Sequence, residues 1–351
     1  MGPLHGVKVV EIAGLGPAPF CGMLLADMGA QVILIDRPVS PVPDPLALGK
    51  AAIFNRGKQL LRLDLKQPEA IATVLDHLAD ADILIEGMRP GVMERLGLGP
   101  DICHVRNPKL VYGRMTGWGQ TGPLAQHAGH DINFAALSGA QWFAGAPGDA
   151  PLVPPTLVGD LGGGALYLAM GVLAALLHAR QSGQGQVVDA AIVDGSANLM
   201  NLLLSLHAGG LQPMQRGTGL LDGPHWYGVY RCACGGWLSV GALEAPFYAI
   251  FLNKLGLADD HAFKRPFDPR TWPELRQRLS SLFASHPRTH WMSLFDGTDA
   301  CVAPVLSPLE SAAHPHLGAR GVYQTIDGVF QAAPAPRFSL TPAQAGPIPA
   351  A

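Results

Sequence analysis

Charge is scarce in this 351-residue chain: Asp, Glu, Lys and Arg make up 15% of it, and 27 acids against 24 bases leave a net charge of −3. So weak a field excludes the long-range attraction on which nucleic-acid-binding surfaces rely, and an anionic ligand must be held by local cations. Cysteine is sparse too. Its five copies, Cys21, Cys103, Cys232, Cys234 and Cys301, are odd in number and scattered, with no CxxC pair and no zinc-type spacing. That pattern points to a reduced, metal-free, cytoplasmic protein. No G-x-S-x-G elbow occurs, and Ser138 and Ser196 fall inside helical patterns, which argues against a serine hydrolase. Gly14-Leu15-Gly16 lacks the third glycine of a dinucleotide fingerprint, and Pro17 and Pro19 remove amides that a pyrophosphate would need. Lys8 and Glu11 interrupt the N-terminal apolar segment, so it reads as a first strand rather than a signal peptide. The longest apolar run, Leu161 to Leu177, is short for a membrane span, opens on three glycines and contains Tyr167, and reads as a buried helix.

Glycine and proline are what the chain has in quantity, 43 and 31 residues, and they punctuate short apolar runs. Val7–Ile12, Gln31–Asp36, Asp82–Glu86 and Lys109–Met115 read as buried strands. Helical spacing runs from Pro19 to Met28, and Gln67-Pro68-Glu69 opens a helix to about Asp80. This alternation predicts an α/β fold with a doubly wound parallel sheet, whose ligands sit beyond the carboxyl ends of the strands. A strand at Gln186–Ile192 leads into a helix to about Leu206 and a Gly-rich passage to Tyr227. A hairpin about Ala233–Gly236 and helices at Pro246–Leu255, Trp272–Phe283 and Thr289–Phe295 predict a smaller α+β domain. The expected division is 1–190 for the large domain, 191–225 for a linker helix and crossing, and 226–314 for the small domain. A second hairpin is expected at Asp327-Gly328, and the Pro/Ala tail to Ala351 reads as extended or disordered.

Three Gly-permissive loops at element ends offer chemistry. AGHDINF presents His130 and Asp131 at a helix start, LVGDLGGG places Asp160 at the N-terminal end of the long apolar helix, and VGALEAPFY places Glu244 just past a strand. Each also has a plain structural use: Asp160 as an N-cap, His130-Asp131 as a capping pair, Glu244 as a first-turn acid. Arg37, Arg56, Lys58, Arg89 and Arg95 lie near strand ends and together suggest a ligand that bears phosphates. One imidazole and two carboxylates suit hydrolysis, acyl transfer or proton abstraction alike, and their spacing does not choose.

Long segments of the chain resemble the family III coenzyme A transferases (the CaiB/BaiF superfamily) and, within it, the racemases that act on α-methylacyl-CoA. They include GVKVVEIAGLGPAPFCGMLLADMGAQVILIDRP, NRGKQLLRLDLK, EGMRPGVMERLGLGP, RMTGWGQTGP, AGHDINF, LVGDLGGG, GQVVDAAIVDG and DACVAPV. The resemblance implies a Rossmann-like CoA-binding large domain, rejoined by residues 315–351, and an interlocked homodimer whose sites combine residues of both chains. Relatives continue past the last Pro-rich stretch into another helix, so a looser dimer clasp is expected here. In transferases the aspartate of the GD-x-x-G turn, matched by Asp160, is a nucleophile; in racemases the histidine of GHDIN, matched by His130, joins it as an acid/base pair, with Glu244 matching a glutamate beside the histidine. The implied CoA groove comprises Arg37, Leu63, Asp64, Leu65, Lys66, Gly87, Met88, Arg89, Arg95, Gly129, Asp131, Ile132, Asn133 and Phe134. No cofactor or metal is implied, since CoA is part of the substrate.

The implied reaction, inversion of a stereocentre beside a thioester through an enolate, needs one group to take a proton and another to return it to the opposite face. A helix N-terminus depresses a carboxyl pKa, so burial must outweigh it for Asp160 to hold a proton. The Gly162–Gly164 amides are candidate donors to the enolate oxygen. The rival activities are CoA transfer through Asp160 and non-catalytic acyl-CoA binding.

Overall fold

The computed structural model describes residues 1–38 and 48–349, and their contacts group the chain into two compact units. The first comprises Met1–Gln141, Val153–Met200 and the chain from Arg320 on; the second comprises Trp142–Leu152 and Asn201–Ala319. The second thus takes in an excursion, residues 142–152, that the sequence reading leaves in the large domain.

In the first unit, β1 (Lys8–Ile12), α1 (Pro17–Asp27), β2 (Gln31–Asp36) and β3 (Gln59–Arg62) come first. They are followed by α2 (Pro68–Leu78), β4 (Ile83–Glu86), α3 (Val92–Arg95), α4 (Pro100–Arg106) and β5 (Val111–Thr116). Then come α5 (Asp131–Leu137), a π-helical segment (Leu157–Ala165) running straight into α6 (Leu166–Ser182), β6 (Val187–Ala191) and α7 (Ile192–Leu199). The six strands form one parallel sheet in the order β3-β2-β1-β4-β5-β6. The chain therefore steps outward from β1 in one direction, then restarts beside β1 with β4 and steps the other way. A crevice opens where the direction reverses, between the carboxyl ends of β1 and β4.

Period-two alternation sends successive side chains to opposite faces of this sheet. Val9, Ile83, Ile85 and Val111 pack with Leu25 of α1 and Leu168, Val172 and Leu176 of α6, while Val10, Ile12, Leu84 and Tyr112 pack with Val74 and Leu78 of α2. Each such buried aliphatic side chain contributes roughly 1.5–3 kcal/mol. With both faces covered, the strands need no polar side, which explains their continuous apolar runs.

Several elements differ from the sequence reading. Helix α1 begins at Pro17, not Pro19, because prolines in a first turn surrender only amides that have no intrahelical acceptor. Strand β3 was not anticipated: it is the edge strand, half-buried rather than apolar. The helix expected to about Leu206 breaks at Met200, giving α7 and then α8 (Asn201–Ala208). By length and composition Leu157–Ser182 is able to cross a membrane, yet Leu168, Val172 and Ala175 are buried against the sheet while Leu166, Met170 and Leu177 are exposed.

The second unit continues with β7 (Tyr227–Arg231), β8 (Trp237–Gly241), α9 (Ala245–Lys254), α10 (Trp272–Phe283), α11 (Arg288–Phe295) and β9 (Val302–Val305). Short helices α12 (Pro308–Ala313) and α13 (Pro315–Ala319) end it. The expected hairpin forms and gains β9 as a third antiparallel strand, over a core that includes Trp226, Tyr230, Phe251, Phe283 and Trp291. Back in the first unit, β10 (Tyr323–Ile326) and β11 (Val329–Ala332) turn at Asp327 and Gly328, both with positive φ as a two-residue hairpin loop of this type requires. The tail has no regular structure, but Gln344 donates to Asp27 O and Gly57 donates to Pro347 O. Residues 350 and 351 lie outside the described residues.

Candidate active site

A cleft of about 430 Å3 occupies the switch point of the first unit's sheet. Its walls are the segments leaving three strands: Leu15–Pro17 after β1, Gly87–Pro90 after β4 and Met115–Trp118 after β5. His130 and Asp160 both open into it, together with Gly129 and Phe134. Phe134 meets Trp118 edge-on, ring centroids 4.7 Å apart, and both rings line the cleft that His130 opens into.

His130 is the residue before α5, in extended conformation, with an exposed ring. Its backbone amide donates to Asn133 Oδ1 at 3.0 Å, so Asn133 holds the histidine's backbone in place. Asp160 is half-buried in the middle of the π-helical segment. It is neither the N-cap, which is Thr156, nor engaged in capping, and its carboxylate accepts no hydrogen bond from the described residues. Burial, followed by the charge of Asp131, raises its pKa to about 6 against the opposing pull of His130. The competition between helix end and desolvation is therefore won by desolvation.

The π-helical segment was not legible as such. Its wide turn carries Leu161 N–H to Thr156 O at 2.9 Å, a spacing of five residues. Gly163 and Gly164 are buried, Gly163 against Ser196 of α7 and Gly164 against Ile192 and Pro17. The lack of a Cβ on these two glycines is what lets α7 and Pro17 approach so closely.

The remaining assignments divide. Arg37, Leu63, Asp64, Leu65 and Lys66 line a second cleft of about 540 Å3 beyond β1, β2 and β3, and it shares Leu15 and Met88 with the first. Gly87 and Arg89 line the first cleft, Arg89 exposed. The turn that carries them is fixed from below: buried Glu86 accepts from Met88 N at 2.6 Å and from Arg114 Nε at 2.9 Å, and Arg114 also pairs with Glu94 at 2.8 Å. Ile132 is exposed and Arg95 ends α3, exposed, and neither lines either cleft. Asp131 is buried and turns its carboxylate away from both clefts, onto the amides of Thr156 and Asp160.

Arg56 and Lys58 are not available to an anionic ligand. Arg56 is buried, paired with Asp27 at 2.5 Å and donating to Gln331 and Ala332 O; Lys58 is buried between Glu11 at 2.7 Å and Pro19 O at 2.9 Å. Their position beside a strand misled because both precede β3 and so lie at its amino end, whereas ligands of such a sheet sit beyond the carboxyl ends. Glu244 belongs to the second unit, exposed at the N-cap of α9. Residues missed by sequence reasoning are Trp118, Met115 and Leu15; the rule that ligands sit beyond strand ends was the signal that could have found them. No group of three or more potential metal ligands occurs among the described residues.

A parallel sheet with this strand order and an imidazole and a lifted carboxyl at its switch point defines an α/β enzyme of acid/base or acyl chemistry. The chain belongs to CoA-transferase family III, whose family model matches residues 4–350. It is 42% identical to the alpha-methylacyl-CoA racemase of Mus musculus over 97% of this chain and 87% of that one, and 42% identical to the Homo sapiens protein of the same name over the same shares. A solved structure of a CAIB/BAIF family protein from Brucella suis superposes with a TM-score of 0.80 at 25% identity, covering 99% of this chain and 94% of the other. The protein is thus an enzyme related along nearly its whole length to racemases of acyl-CoA thioesters.

Proposed function

We propose that the protein interconverts (R)- and (S)-2-methylacyl-CoA thioesters by 1,1-proton transfer, with His130 and Asp160 as the acid/base pair. The observation that carries this reading is that an exposed imidazole and a carboxyl raised to about 6 open into one cleft, so the carboxyl can hold or release a proton near neutrality in the same cleft as a second acid/base group. Similarity to two named racemases supports it. In one direction neutral His130 removes the α-proton and protonated Asp160 returns one to the opposite face of the enolate; in the other, the Asp160 carboxylate removes it and the imidazolium returns it. Both directions leave the protein in the protonation state from which the reverse reaction starts.

The CoA moiety runs through the second cleft past Leu63–Lys66 and Arg37, with Arg89 near its phosphates, and the thioester reaches the first cleft past Gly87 and Met88. No further cofactor is needed, because the thioester itself makes the α-proton acidic. The protein works as an interlocked homodimer in the cytoplasm, Glu244 steadying the charged form of His130.

The test is proton NMR of a single-enantiomer 2-methylacyl-CoA in deuterated water. Loss of the α-proton signal together with appearance of the second diastereomer is the expected result. Transfer of CoA to an added carboxylate without α-exchange would favour Asp160 as a nucleophile, and tight binding with neither reaction would leave a binding protein.

A further inference from the structure

A second carboxylate lies directly behind Asp160, on a residue assigned from the family pattern to CoA. Asp131 is the first residue of α5, next to His130, and is only 9% exposed. Its Oδ1 accepts the Asp160 amide at 2.8 Å and its Oδ2 the Thr156 amide at 3.1 Å. The two bonds tie the start of α5 to the π-helical segment. They close on strained backbone: Thr156, a β-branched residue, sits at φ 63°, in the left-handed region that such residues rarely adopt. The intervening residue must be glycine, since a Cβ at Gly159 would fall on Asp131 Oδ1. The Gly-Asp pair of the LVGDLGGG segment is thus fitted to a carboxylate arriving from another part of the chain.

We propose that Asp131 is a positioning residue for the proton transfer: its carboxylate fixes Asp160 relative to His130 through the backbone, and its negative charge favours a proton on Asp160. The proposal rests on the racemase reading of this site. Among the groups packed on the π-helical segment, the charges that bear on Asp160 are those of Asp131, which opens α5, and of His130 just before it, while Gly16 at the entry to α1 lies against its carboxylate. The sign of the Asp131 effect follows from like charge: an anion beside a carboxyl disfavours its ionised form. A neutral acceptor in the same place would hold the turn and leave Asp160 a weaker proton carrier.

Asp131→Asn removes the charge and keeps one of the two bonds: its amide oxygen still accepts the Asp160 N–H, while its NH2 meets the Thr156 N–H, donor to donor, and that bond is lost. The measurement is a pH titration of the Asp160 carboxyl by 13C NMR, its signal identified by its loss in Asp160→Asn, alongside exchange rates from each enantiomer. The Asp160 midpoint is expected to move about one pH unit lower. The acid limb of kcat/KM should move lower with it, equally in both directions, since the equilibrium between the two enantiomers fixes the ratio of the two rates. An unmoved midpoint, or an acid limb that stays where it is in the parent, would overturn the proposal and leave Asp131 a structural cap. If Asp131→Asn does not fold, Asp131→Glu is compared with Asp131→Gln, which differs from it only in charge: a higher Asp160 midpoint with Glu supports the proposal, and equal midpoints overturn it. The titration needs no substrate, so it decides the role of Asp131 whatever the exchange assay says of the racemase.

Discussion

A carboxyl that must give and take a proton near neutrality has to be lifted from its ordinary range, and Asp160 is lifted by burial first and by Asp131 second. On the proposed mechanism each direction uses the pair carrying one proton between Asp160 and His130, so the two directions share one pH profile, as the fixed equilibrium between the enantiomers requires. kcat/KM from either enantiomer should fall as pH drops through about 6 and the pair takes up a second proton. The same shift bears on stability. A carboxyl with a raised folded-state pKa is costlier to ionise when folded, so stability is lost as pH rises from the unfolded value near 4 through about 6. Asp160→Asn should therefore unfold at higher urea than the parent at pH 8, by about 1 kcal/mol once the half-exposed site is discounted for solvent screening, and equally with it at pH 3. The same variant should still wash deuterium into one enantiomer without inverting it, because His130 can remove and return a proton on its own face; complete loss of exchange from both enantiomers would contradict separate roles for the two groups. These residues were legible because they stand in Gly-rich loops at element ends, whereas Asp131 gave no sign of its partners, which lie 25 and 29 residues away.

At the scale of elements, the active-site wall is held by buried charge. Glu11 on β1 and Lys58 before β3 form a fully buried pair, and Lys58 also donates to Pro19 O in the first turn of α1, the turn whose Gly16 and Pro17 line the cleft. Burial pushes Glu11 up to about 7, with Lys58 drawing it back. Removing one partner strands the other charge in the core. Lys58→Met is thus expected to destabilise the protein by roughly 3–5 kcal/mol in urea unfolding, and the double variant with Glu11→Leu by much less. Read in sequence, Glu11 only interrupts an apolar strand and Lys58 is a cation in a loop; no local pattern announces that they meet. The π-helical segment is hidden for a similar reason. LVGDLGGG carries helix-start signals, but the wide turn depends on Asp131 below it and on α7 against Gly163.

For the whole molecule, the first unit closes on itself through Arg56, which joins the last residue of α1, Asp27, to Gln331 and Ala332 O of β11. Arg56→Lys, which cannot form this fork, should lower the melting temperature and leave the chemistry of bound substrate unchanged, seen as an unaltered kcat at 20 °C. The exposed face of α6, Leu166, Met170 and Leu177, is more apolar than a solvent-facing helix ordinarily is, and we predict that it is covered by a second copy of the chain. Sedimentation at micromolar concentration should give a dimer, and a monomer there would refute the prediction. The sequence by itself determined the alternating α/β architecture, the small unit's hairpin and helices, and the loops that carry His130 and Asp160. Periodicity, proline and glycine act over a few neighbouring residues, and those features are local. Only the tertiary structure decided that Arg56 and Lys58 are internal clasps, that Gly163 and Gly164 pack against α7 and Pro17, and that Asp131 faces Asp160. Burial and the partner of a charge depend on what distant segments bring to it, and a sheet whose strands are ordered 3-2-1-4-5-6 brings together residues that the chain itself keeps far apart.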